Sequence, residues 1–233
     1  MSRRHKRRRG NQDPERSGIE EELIAASQRW AADGVRGTAD SGACLAALLP
    51  TLTGRSIVAV RYGVLPTYEE PSPEDFDIWV TDLGGAHLLD FGLEFTLDDG
   101  RVLQATWTGP PCYYLGLKTG PLRRSASDIP VPCYDVTNMA PWPALLRRPI
   151  VGVTITRDLQ PADTFGIAGQ QVAVPLDAEF QLEGASSFFL SARRFDPRFG
   201  DKRAEPRTDT VLVTFDRDVA HKLGVGPYAP DVG

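Results

Sequence analysis

The sequence predicts an α+β fold that is mainly β: two related antiparallel β-units packed together, preceded by one N-terminal helix. Three observations lead there. From residue 56 onward the chain is a series of short β-branched and aromatic runs separated by Gly, Pro and Asp turns. The longest run of helical periodicity, Ile19, Leu23, Ala26 and Trp30, lies before that point. Finally, one stretch of the chain recurs.

The chain opens with a basic tail. Residues 1–18 hold seven Lys/Arg and two Asp/Glu. Residues 1–16 have almost nothing to bury, which predicts disorder. Residues 17–50 read as a helical segment. Ser17 and Glu20 fit a capping box, in which each side chain satisfies a free backbone N–H. Ile19, Leu23, Ala26 and Trp30 follow at helical spacing, and Gly34 is the stop. A second short helix is expected over 42–49, ended by Pro50.

The first β-unit covers residues 51–140. SIVAVRYG is a strand bounded by glycines, and DIWVTD is an edge strand. HLLDFGLEFTL and RVLQATW form two strands joined at Asp98-Asp99-Gly100, because Asp-Gly suits a tight hairpin turn. CYYLGLK is a further strand and VPCYDV is extended. Asn138 is the expected cap of a short helix, PWPALLRR. The second unit covers 141–226, with strands in PIVGVTITR, QQVAVPLDAEFQLEG, SSFFLSARRF and TDTVLVTFD, then one helical turn in DRDVAHKLG. Residues 227–233 form a loose tail.

The repeat ties the units together. Leu49–Val60 (LPTLTGRSIVAV) aligns without a gap to Trp142–Val153 (WPALLRRPIVGV), with six of twelve positions identical. Glu94-Phe95-Thr96-Leu97 then matches Glu179-Phe180-Gln181-Leu182. The first unit is eight residues longer between the two blocks, and the acidic loop around Glu69–Asp77 supplies that length. A unit of this size cannot cover both faces of its own sheet, so an internal duplication predicts a shared core.

Net charge is −5, but it is unevenly spread. Residues 51–100 carry ten acids against Arg55 and Arg61. Arginine supplies 22 of the 26 basic residues, which points to a GC-rich bacterial genome. Three cysteines without close spacing do not make a secreted disulfide framework. No apolar run approaches the roughly 18 residues of a membrane span. The basic start is not followed by the apolar stretch of a signal peptide. The expected location is the cytoplasm.

Chemical motifs are sparse. Outside the tail the only histidines are His87 and His221. PCY occurs twice, at Cys112 and Cys133, where a small buried thiol is the favoured reading. A catalytic site near His87 and Cys112 is the alternative. No close pairing of Cys or His marks a metal site, no glycine-rich phosphate loop follows a strand, and no cofactor is indicated. The layout resembles that of β-rich bacterial toxin-immunity proteins in general outline. The resemblance lacks a defining motif, so no residue role carries over from it. The expected function is therefore a non-catalytic protein-binding module. Its acidic face comprises Tyr68, Glu69, Glu70, Glu74, Asp75, Phe76 and Asp77, and its partner is a basic protein. Aromatics among charges give such a surface anchors. Nucleic-acid binding through the tail is the weaker partner reading, since charge alone supports it.

Overall fold

A computed structural model describes residues 44–63, 80–82, 85–89, 91–108, 114–122, 131–161, 171–193 and 210–228. Tyr68–Asp77, Cys112, the basic tail and the expected helix over 17–34 lie outside the described residues.

Eleven strands are described: β1 (Ile57–Gly63), β2 (Val80–Asp82), β3 (Ala86–Leu89), β4 (Gly92–Leu97), β5 (Val102–Thr108), β6 (Tyr114–Thr119), β7 (Cys133–Asp135), β8 (Ile150–Pro161), β9 (Gln171–Leu182), β10 (Ser186–Ser191) and β11 (Val211–Thr214). They form two antiparallel sheets, in the orders β6-β5-β4-β1-β7 and β2-β3-β11-β10-β9-β8. Residues 44–48 are helical and run into a 3₁₀ turn over Leu49–Leu52, with Pro50 in its first turn. Proline is tolerated there because no backbone N–H is needed at that position.

Alternation along the strands builds the core. Val60 and Tyr62, Leu93, Phe95 and Leu97, and Leu103 and Ala105 face inward from the first sheet. Ala178, Phe180 and Leu182, with Phe188 and Leu190, face them from the second. Between the layers Phe95 packs on Phe180 and Phe188, with ring centroids 5.9 and 5.5 Å away, and Trp142 lies 5.7 Å from Phe95. Such aromatic pairs add favourable quadrupole contacts to simple burial.

The two sheets share a pairing scheme. In β1–β4, Ile57 faces Leu97 and Ala59 faces Thr96, so a bulge falls between them. In β8–β9, Ile150 faces Leu182 and Gly152 faces Gln181, with a bulge at the same step. Beyond the bulge Val60 pairs with Phe95 and Val153 with Phe180. Arg61 then pairs with Glu94, and Thr154 with Glu179. Each β-hairpin continues in step, with Phe95 opposite Leu103 and Phe180 opposite Phe188. The sheets also join reciprocally: Ser56 bridges Pro149, the Gly54 N–H donates to the Ile150 carbonyl, and the Arg147 N–H donates to the Ile57 carbonyl. Gly54 and Arg147 sit at φ +79° and +63°, as this junction requires. Arg55 reaches Asp99, and Arg148 reaches Ser186 Oγ at 3.0 Å, each at its own sheet's hairpin turn.

The architecture departs from the sequence reading in three places. HLLDFGLEFTL is split: β3 pairs with β11 in the second sheet, whereas β4 pairs with β1 in the first. The expected second-unit sheet is thus extended by β2 and β3 from the 51–140 segment, which pair the otherwise open edge of β11. Asn138 caps nothing described: Trp142–Ala144 is a 3₁₀ turn whose N-cap is Pro141, without a side-chain bond. The final helical turn is a seven-residue helix, Arg217–Leu223, capped by Asp216 Oδ1, which accepts from the Asp218 and Val219 N–H groups at 2.6 and 3.1 Å. Gly224, at φ +68°, closes it. Ala220 and Leu223 of this helix cover Phe189 and Leu212 on the outer face of the second sheet.

Candidate functional site

The expected acidic face occupies the connection between β1 and β2. Gly63 ends β1 inside the first sheet, and Val80 begins β2, the terminal strand of the second. The connecting residues 64–79 contain five carboxylates and no Lys or Arg. Their own geometry lies outside the described residues.

His87, the described member of the alternative site, is in the interior between the sheets. Its Nδ1 is 2.8 Å from the hydroxyl of Tyr62, and that oxygen accepts from Trp142 Nε1–H at 2.8 Å. Indole nitrogen is a donor only. The Tyr62 oxygen therefore accepts from Trp142, while the direction of its bond to His87 Nδ1 follows the imidazole tautomer. Burial pushes the Tyr62 phenol well above its ordinary pKa, partly opposed by the bond from Trp142. Phe215 closes the group, with its ring 5.1 Å from His87 and 4.8 Å from Trp142. This chain links β1, β3 and the turn before β8. It fixes the two sheets to each other, and its imidazole Nδ1 is committed to that role.

A polar row on β9 went unremarked in the sequence. Asp177 and Glu179 alternate with Ala178 and Phe180, so both carboxylates lie on the sheet's outer face and yet are buried. Asp177 accepts from Arg193 Nε at 3.1 Å through each oxygen and from Ser191 Oγ at 2.6 Å. Burial pushes its carboxyl up, while Arg193, Ser191 and the Gly226 N–H pull it back down. Glu179 accepts from Ser187 Oγ at 3.0 Å and from Arg217 at 2.9 Å. On the first sheet Glu94 is equally buried: it holds Arg61 Nε at 2.9 Å and accepts the Leu122 N–H at 2.6 Å. Charged residues inside an apolar strand, as in LDAEF, were the available signal, because a buried carboxylate demands a partner.

These groups are structural ties. Arg217 pins the C-terminal helix to β9 and β10, and Arg193 pins the end of β10 to β9. An open groove of about 390 Å³ lies beside Arg217, Ser187, Gln181 and Val151. Its guanidinium is already shared between Glu179 and Ser187. Cys133 is half-buried, and its thiol donates to the Val131 carbonyl at 3.3 Å. Burial, reinforced by Glu94 and opposed by Arg61, pushes its pKa up to about 11. Among the described residues no cluster of three His, Cys, Asp or Glu is placed to hold a metal ion. Among the same residues no helix is long and apolar enough to cross a membrane.

No family model, curated protein or solved structure matches the chain.

Proposed function

We propose that the chain is a non-catalytic protein-binding module of the toxin-immunity kind. In this reading Glu69, Glu70, Glu74, Asp75 and Asp77 form an acidic face for a basic protein partner, with Tyr68 and Phe76 as anchors. One observation carries it: sixteen consecutive residues, 64–79, hold five carboxylates and no basic residue, between strands of two different sheets. A loop held at both ends by a rigid scaffold is where binding residues concentrate. The burial of His87 between the sheets, against Tyr62 and Phe215, weighs against the alternative of an enzyme centred on His87 and Cys112.

The two units are proposed to be copies of one ancestral unit. The common register, the bulge at the same step and the reciprocal bonds around Ser56 and Pro149 support that. The acidic loop is then an insertion in one copy, placed where a specialised role disturbs the core least.

The test is binding kinetics with a partner isolated by pull-down. Charge pairing at an exposed face acts mainly on association and is screened by salt. Replacing the five acids by Asn or Gln slows association about tenfold or more at low salt, and the difference shrinks at high salt. Tyr68→Ala or Phe76→Ala accelerates dissociation instead. Association rates unchanged by removing all five charges would refute the assignment.

A further inference from the structure

Asp98-Asp99-Gly100 turns the chain from β4 into β5, and Asp-Gly is a chemically reactive pair. Glycine has no side chain to shield its amide nitrogen, so that nitrogen can attack the carboxyl carbon of the aspartate before it. All three turn residues are exposed. Among the described residues, apart from its chain neighbours, no atom lies within 4 Å of where a Cβ of Gly100 would sit. Both reacting groups are nevertheless occupied. Asp99 Oδ1 accepts the Arg101 N–H at 3.1 Å, and Oδ2 accepts from Arg101 Nε at 2.8 Å, with Arg55 Nε 3.3 Å away. Arg101 is itself pinned, because Nη1 and Nη2 donate to the Thr51 hydroxyl and carbonyl at 3.0 and 2.9 Å. The Gly100 N–H donates to the Leu97 carbonyl at 3.0 Å.

We propose that Asp99-Gly100 is a site of aspartate isomerisation, held shut by Arg55 and Arg101, which converts when the β4–β5 turn opens. The Gly100 nitrogen bonds to Asp99 Cγ, and one carboxyl oxygen leaves as water with the carboxyl proton and the amide proton. Water then adds to the succinimide so formed. Breaking the nitrogen's bond to Cγ restores aspartate. Breaking its bond to the main-chain carbonyl carbon leaves isoaspartate, with the backbone running through Cγ. Nothing is oxidised or reduced, and the mass is unchanged. Only a neutral carboxyl loses water readily, so ionisation protects. The backbone N–H of Arg101, against a small cost of burial, then its guanidinium and Arg55, hold the Asp99 carboxyl below the usual carboxylate range. The remaining charged group of the turn, Asp98, accepts the Ser56 N–H at 3.2 Å. The matching turn of the other sheet carries Glu183 before Gly184, and glutamate would need a six-membered ring that closes far more slowly. An extra backbone methylene at residue 99 would disrupt the bond from the Leu97 N–H to the Arg101 carbonyl. It would do so beside Ser56, where the two sheets join.

The experiment ages the full chain in warm buffer and quantifies isoaspartate at residue 99 by peptide mapping with electron-transfer fragmentation. Conversion is expected to be at least about tenfold slower in the native chain than in the same chain in urea, because it waits for local opening. Arg55→Ala and Arg101→Ala, tested singly, are each expected to raise the native rate about threefold, the size of an exposed ion pair. Arg101→Lys, which keeps the charge, is expected to raise it less. The same digests read Asp33-Gly34, the chain's other Asp-Gly, whose conversion is expected not to respond to either arginine. The increase in rate on acidification is expected to begin at lower pH in the native chain than in urea, and Arg101→Ala moves it back toward the ordinary carboxylate range. Three results would overturn the proposal: native conversion as fast as in urea, an unchanged rate in both alanine variants while the β9 amides stay protected, or a rise shared equally by Asp33-Gly34.

Discussion

Removing the Tyr62 hydroxyl is the sharpest test of how the two sheets are held. Tyr62→Phe keeps the ring, which is 1% exposed, so packing is nearly conserved. What disappears is the oxygen shared by Trp142 Nε1–H and His87 Nδ1, at 2.8 Å from each. Trp142 is fully buried and His87 is 9% exposed, so water does not readily replace it. Leaving a buried polar group without its partner costs about 1–3 kcal/mol. Two such groups give about 2–6 kcal/mol in all, and for a chain of this size that lowers Tm by roughly 4–24 °C. Urea unfolding followed by tryptophan fluorescence reads the difference, with the denaturant slope unchanged because the exposed area is the same. Trp142→Phe in the Tyr62→Phe background should cost less than Trp142→Phe alone. A loss below about 0.5 kcal/mol for Tyr62→Phe, or additive effects in the double variant, would show that the chain does not join the sheets energetically.

Three further outcomes are expected. In a variant that keeps Cys133 as its only cysteine, alkylation near pH 8 should be roughly a hundredfold slower than for an ordinary thiol. The raised pKa favours the protonated form, so this group's contribution to stability is complete below about pH 9 and is lost as the pH rises toward about 11; alkylation at a series of pH values and unfolding at pH 8 and 11 check both. Gly92→Ala should destabilise by about 1–3 kcal/mol in a thermal melt, because a Cβ there would run into the Ala105 carbonyl on the paired strand. Deleting residues 1–16 should leave Tm within about 2 °C of the full chain, since those residues have little to bury.

Strand identity was legible because burial imposes a period of two. RVLQATW is a strand, the described part of CYYLGLK and the first six residues of SSFFLSARRF are strands, and Asp98-Asp99-Gly100 makes its turn, with Gly100 at φ +81°. The allocation of strands to sheets was not legible. Nothing local distinguishes HLL, which crosses to the second sheet, from GLEFTL two residues on, because register partners more than a hundred residues away decide it. The role of His87 was hidden for the same reason. Its partner Tyr62 lies in RYG, a segment read only as the end of a strand, and Trp142 lies in a turn. The paired carboxylates of β9 were visible as charges in an apolar run, but their cations, Arg193 and Arg217, come from other elements. The motifs of the acidic segment were legible as composition, and composition alone gives no geometry.

The crossing of β3 has a consequence for how the protein is made. Leu89 pairs with Val211, so 122 positions (211 minus 89) separate the two strands. At about 5–20 residues per second of synthesis, β3 leaves the ribosome roughly 6–24 s before β11 exists. During that interval β1, β4, β5 and β6 have all been made and can pair, whereas the second sheet still lacks the strand that joins β3 to β10. The β2–β3 ribbon must therefore wait as an incomplete template. The N-terminal sheet is free to form during translation, and the molecule closes only when the last fifty residues arrive.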